Sequence, residues 1–175
     1  MQPKQSIGID YLDWVLEYWR SLRGDRSMPS RKDFDPTVVP SRILPNLIMV
    51  EVHEETKFLY RLYGTAHVDV AGLDFTGSYL HELPERGGYR DYLAGIYEQL
   101  VQEKVPLFTE STYQWKQHTK RSTQRLMVPF SNDDRTVHHI LSAQVFDFVW
   151  SDDRSKINLF DFDGFGEARR YTLEG

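Results

Sequence analysis

The chain contains no cysteine. That absence removes disulfides, thiolate catalysis, thiolate zinc sites and any chromophore held through a cysteinyl adduct or thioester. No apolar run approaches the roughly 18 residues of a membrane span, and the first ten residues, MQPKQSIGID, lack a signal peptide's apolar core. A cytoplasmic protein that does not engage membranes is the expectation. Positive charge is also in deficit: the formal net charge is −5 at pH 7 over 175 residues. With no overall positive field to draw phosphate backbones or anionic lipid, nucleic acid is not an expected partner. There is no Walker loop, dinucleotide fingerprint or nucleophile elbow, and GTAHVDVAG (64–72) lacks the glycine spacing that cradles phosphate.

Metal and acid–base motifs are equally thin. His138 and His139 are adjacent in a predicted strand, so their side chains leave on opposite faces and cannot chelate one ion together. DFDGFGE (161–167) echoes part of a calcium loop without its full set of acidic positions, and no metal is expected. His67 lies near Asp69 and Asp74, and on a strand residues 67 and 69 share a face. Histidines beside carboxylates are common outside active sites, and the expectation is a protein that is not an enzyme.

What is present is apolar and aromatic: 40% of residues are hydrophobic and 14% aromatic, enough for the single core that a chain of this length can close. In DYLDWVLEYWRSLRG, Leu12, Val15, Leu16, Trp19 and Leu22 recur at helical spacing, with Tyr11 and Trp14 widening the stripe. Asp10 suits the N-cap and Gly24 the end. The stripe can dock on its own domain or carry dimerisation and partner binding through Trp14 and Trp19. Pro29, Pro36, Pro40 and Pro45 then exclude a continuous helix and leave a stiff connector that holds the first helix in place. Within it, Asp35 and Pro36 suit the start of one short helical turn.

From Leu47 the pattern becomes strand-like. NLIMVEVHEE and KFLYRLYGTAHVDV read as a hairpin, with Gly64 marking a bend or bulge in the second strand. Tyr89, Tyr92, Leu93, Ile96, Tyr97 and Leu100 mark one face of a helix running to about Lys104. PLFTESTYQW, QRLMVPF and TVHHILSAQVFDF are three further strands, the last two joined by the turn SNDD. This order predicts an α+β domain: a mainly antiparallel five-stranded sheet with helices over one face, an N-terminal amphipathic helix and a C-terminal extension.

WRSLRGDRSMPSRKDFDP, ILPNLIMVEV, FLYRLYGTAHVDVAGLDFTGSYL and RLMVPFSNDDRTVHHIL, taken in order, resemble a family of short stand-alone bacterial PAS-domain proteins, mostly alphaproteobacterial. The likeness runs from about residue 10 to 148. It implies a PAS-like domain over 46–148, a helix and connector over 1–45 packing on it, and an extension over 149–175. It also implies a non-catalytic sensory or regulatory module acting in cytoplasmic signalling. Such a module binds a small molecule, a separate signalling protein or both; the other reading is a ligand-free interaction or dimerisation module.

Haem-binding PAS sensors usually take their axial histidine from the helix before the third strand. The helix YRDYLAGIYEQLVQEK has none, so haem is disfavoured on that pattern. A noncovalent flavin or another organic ligand needs only an apolar cavity with a few polar groups. Tyr60, Leu62, Tyr92, Ile96, Tyr113, Trp115, Leu126, Val128, Leu141 and Ala143 are the candidates to line one; the commoner role for any single one of them is to fill a core. Arg61, His139 and Gln144 each need a partner if buried. Arg61 can hold a carboxylate or phosphate, or pair internally with Asp74 or Glu51. The tail's Phe160, Phe162, Phe165 and Tyr171 predict that it packs back or meets another chain, and with no second-domain pattern after it the expected output is binding. A homodimer is expected from the helix stripe and the aromatic tail.

Overall fold

The computed structural model describes residues 6–54, 56–84, 88–115, 119–146 and 164–173; of 113–115, 119–121 and 164–167 it describes the backbone alone. The chain runs through α1 (Asp10–Arg23), β1 (Leu47–His53), β2 (Lys57–Tyr63), α2 (Thr65–Ala71), α3 (Tyr89–Glu103), β3 (Leu107–Trp115), β4 (Thr119–Phe130), β5 (His139–Phe146) and β6 (Gly164–Thr172). The strands form one sheet in the order β2-β1-β5-β4-β3-β6, and every neighbouring pair is antiparallel. The five predicted strands are there, and a sixth from the tail lies beside β3. Tyr171 stacks on Phe108, Leu173 is buried, and Leu173 N–H donates to Pro106 O at 2.9 Å.

Alternating side chains give the sheet an inner and an outer face, and both are covered. On the outer face α1 buries Leu12, Val15, Leu16 and Trp19 against β4 and β5, and Trp19 Nε1 donates to Pro129 O at 2.7 Å. The start of α1 is not capped by Asp10, which is already its first residue. Instead Asp13 reaches back to accept from Ile7 N at 2.6 Å and Gly8 N at 2.8 Å. Burial raises the Asp13 pKa, but these donors outweigh it and hold the group below the usual carboxylate value. Gly24 closes α1 at φ +58, a conformation that favours glycine.

The connector is fastened along its length. Asp134 accepts from Ser27 N and Met28 N, and Ser131 N donates to Pro29 O. Ser30 and Asp33 form a reciprocal cap, while Asp35 caps the turn Pro36–Val38 through Thr37 N at 2.8 Å. Met28 and Ile43 are buried beneath it.

The second strand is shorter than the sequence suggests. β2 ends at Tyr63, and TAHVDVA is helix α2. The break is at Gly64, where a Cβ would overlap the carbonyl oxygens of Pro45 and Leu47; glycine is required there by close packing. On the inner face α3 buries Tyr92, Leu93, Ile96, Tyr97, Leu100 and Val101, with Tyr97 against Phe58 of β2.

Candidate functional site: a closed chamber and an open groove

The inner chamber is built where β1, β2, β4 and β5 meet α2 and α3. A bulge in β2 opposite Met49 and Val50 inserts Arg61 as an extra residue. Arg61 and Leu62 both point outward while Tyr60 and Tyr63 both point in. Tyr60, Tyr63, Tyr89, Tyr97, His67, Arg125 and Gln144 therefore converge with Ile48, Leu83 and Leu93. They leave a volume of about 10 Å³, room for roughly one water.

Arg125 is the centre of this chamber. It is 3% exposed, and its partners are neutral: Nε and Nη2 donate to Gln144 Oε1 at 3.1 and 2.7 Å, and Nη2 donates to the Tyr89 hydroxyl at 2.9 Å. Gln144 Nε2 passes the chain on to Thr123 Oγ1 at 2.7 Å, and that hydroxyl donates to Val145 O at 2.9 Å. Burial works against the charge on Arg125, but the surrounding tyrosine oxygens outweigh it and hold its pKa above the ordinary arginine value. Asn46 Nδ2 donates to Gln144 O at 2.8 Å and Asn46 O receives His67 Nε2 at 3.0 Å, which ties α2 to the same network. Burial lowers the His67 pKa to about 3, so the ring is neutral. Tyr60 and Tyr97, also fully buried, are pushed up by burial.

The outer face carries a groove of about 780 Å³ beside α1. Leu47, Met49 and Leu141 form its floor; Phe34, Leu44 and Pro45 wall it; Arg31, Glu51, Arg61 and His139 supply polar groups. Glu51 is shared between Arg61 Nε and His53 Nε2, each at 3.0 Å. The bond with His53 outweighs burial, and with Arg61 it holds the Glu51 pKa below its usual value. Burial lowers the His139 pKa, with Glu51 opposing. The Nδ1 of His139 is buried and has no hydrogen-bond partner among the described residues.

The residues singled out from the sequence do not share one cavity. Tyr60 lines the inner chamber, and Tyr92 and Ile96 lie on the buried face of α3. Arg61, Leu62, His139 and Leu141 line the outer groove. Leu126 and Ala143, one strand position from the inward Arg125 and Gln144, and Val128, three from Arg125, are buried on the opposite face, the one that α1 covers. The reason is that both faces are covered, so apolar residues occupy inward and outward positions alike and period two cannot sort them. The side chains of Tyr113 and Trp115 lie outside the described residues, as does the DFD of the calcium-like segment; from Gly164 the chain is strand. Trp19 is 1% exposed, a core residue beneath α1 and not a surface one. Trp14 is partly buried and packs on Tyr18. His67 and Asp69 are parted because TAHVDVA is helical: His67 faces the core and Asp69 faces solvent.

Arg125 escaped the sequence reading. The run QRLMVPF marks a strand, but only the register that sets Arg125 opposite Gln144 shows a charge turned inward. The signal available was the pair of long polar residues in two otherwise apolar strands, of which Gln144 alone stood out.

A family model for the PAS domain matches residues 12–144, most of α1 through β5. The chain belongs to the PAS domain family. α2, α3, β1 to β4 and most of β5 lie inside that match, and β6 lies beyond it. PAS domains are in general sensory modules, and the covalent cysteine adduct used by some of them is unavailable to a chain with no cysteine. Similar solved structures include a sensory box sensor histidine kinase from Vibrio cholerae (15% identity, 62% of this chain and 90% of that one, TM-score 0.43). A fungal LOV domain photoreceptor has 12% identity over 79% of this chain and 92% of its own, TM-score 0.42. Vibrio cholerae VqmA, solved in complex with ligand and DNA, has 10% identity over 59% of this chain, TM-score 0.41. The chain spans about half the length of the VqmA structures it matches, 46% to 51%. Comparison with curated proteins yields no match. Among the described residues no group of three or more His, Asp or Glu could hold a metal ion, and no helix is long and apolar enough to cross a membrane.

Proposed function

We propose that this PAS domain is a non-catalytic sensory module of the cytoplasm, holding a small molecule in the chamber between sheet and α3 and passing the result to a separate signalling protein. One observation carries this reading: a guanidinium buried in the chamber and held by neutral acceptors alone among the described residues. Burying a charge costs several kcal/mol before compensation, and an apolar side chain would fill a purely structural core at less cost. The chamber and the outer groove share β1 and β5, so a shift of the sheet on one face reaches the other. The separation of His67 from Asp69 favours binding over catalysis.

The second reading, a ligand-free interaction module, is favoured by the small volume left in the chamber and by the size of the groove. Native mass spectrometry of the purified protein, with its denatured mass as control, separates the two. A small molecule present only in the native spectrum supports the sensor. A clean apo mass, with partner capture abolished by Leu62→Asp, supports the interaction module.

A further inference from the structure

Among the described residues lining the chamber Arg125 is the only cation, since His67 is neutral, and no described carboxylate pairs with it. Its Nε side belongs to Gln144; on the opposite edge, Nη2 meets the Tyr89 hydroxyl and no described residue accepts from Nη1. Among the described residues that edge is therefore covered by one neutral oxygen. A carboxylate there makes two parallel charge-assisted bonds where Tyr89 accepts one. One positive charge matches one negative charge; a dianion would bury a second, unbalanced charge among tyrosine rings.

Tyr89 is placed to yield the position. It is the first residue of α3, only partly buried, and follows Gly88, whose φ of +79 makes the joint. The same turn is also held by Arg90 Nη1, which donates to Leu83 O at 3.1 Å and His81 O at 3.4 Å, by Tyr92 N–H donating to Gly88 O at 3.0 Å, and by the Tyr89 ring stacked on Tyr92. Outward rotation of Tyr89 frees the space of a phenol ring beside Arg125.

We propose that the chamber is a receptor site for a small monocarboxylate, whose carboxylate takes the place of the Tyr89 hydroxyl on Arg125 and so releases the first turn of α3. This rests on the sensory reading and adds to it the ligand's chemical class and the latch that reports its arrival.

The test titrates the full chain with acetate, propionate, pyruvate and benzoate, against acetamide, propionamide and benzamide as neutral shapes and against inorganic phosphate, at fixed ionic strength. Thermal midpoint and the amide chemical shifts of the first turn of α3 are followed. At least one carboxylate should raise the midpoint and move those shifts while its amide does neither. Tyr89→Phe removes the competing oxygen and should tighten that carboxylate about five-fold. Arg125→Gln should abolish binding; if it does not fold, Arg125→Lys keeps the charge without the flat edge and should weaken binding about ten-fold. Equal behaviour of carboxylates and amides, preference for phosphate, or an unchanged affinity in Tyr89→Phe would overturn the assignment. If the native spectrum retains a neutral molecule while every carboxylate fails, the sensory reading stands and the carboxylate assignment falls. If nothing is retained and nothing in the panel binds, both fall.

Discussion

At the scale of single residues, His67 makes the chamber sensitive to acid. Its folded pKa of about 3 lies below the roughly 6.5 of an unfolded histidine. Between those values the unfolded chain takes up a proton that the folded chain refuses. The stability tied to the neutral ring is therefore complete above about pH 6.5 and falls away as pH drops toward 3. At pH 5 the loss is about 2 kcal/mol. Asp13 and Asp33, whose pKa values are lowered, add their losses mainly below about pH 4. Thermal melts at pH 7, 6 and 5 should show a falling midpoint. His67→Gln should reduce that fall without removing it, because half-buried His139 is lowered too; a slope unchanged in the variant would clear His67 of the effect. His67 was visible in the sequence only as a possible acid–base partner, because a strand was read through Gly64. Close packing against two carbonyl oxygens, a tertiary fact, ends the strand there.

At the scale of elements, α1 is part of the fold's own core, packed on the outer face of the sheet, and its stripe is spent on β4 and β5. Trp19 is the anchor, with its ring buried and its indole N–H on the carbonyl of Pro129. Trp19→Ala should cost about 3 to 5 kcal/mol in a denaturant melt, and Trp14→Ala, on the partly buried flank, much less; equal losses would mean that α1 docks by another face. The helix itself was legible, since Leu12, Val15, Leu16 and Trp19 are the residues it buries. Periodicity states that a face is buried and is silent about whether the cover is the same chain or another. The β2 bulge was less legible: one inserted residue turns Arg61 and Leu62 to the groove and Tyr63 to the chamber, and no local pattern in YRLYG announces it.

At the scale of the whole molecule, the sheet is a partition between a filled chamber and an open apolar groove. Burial of Trp19 removes it from any association surface, and the exposed apolar residues beside the groove are Leu62, 46% exposed, and Leu44, 37% exposed. If the chain self-associates, Leu44→Asp combined with Leu62→Asp should lower the mass seen by light scattering at high concentration while leaving the thermal midpoint within about 0.5 kcal/mol of stability. A monomeric wild type at that concentration removes the homodimer expectation. A dimer that survives the double change places the contact elsewhere.

By itself the sequence determined α1, α3 and five of the strands and the absence of cysteine chemistry, because these depend on composition and on periods of two and 3.6 residues; its PAS character was legible as a resemblance of ordered motifs, and the family model matches residues 12–144. Tertiary structure alone decided which apolar residues face the chamber and which face the groove, that the tail adds a sixth strand, and that Arg125 points inward. Each depends on register between strands distant in the chain: shifting one strand by a single residue would exchange the two faces and leave its local pattern unaltered.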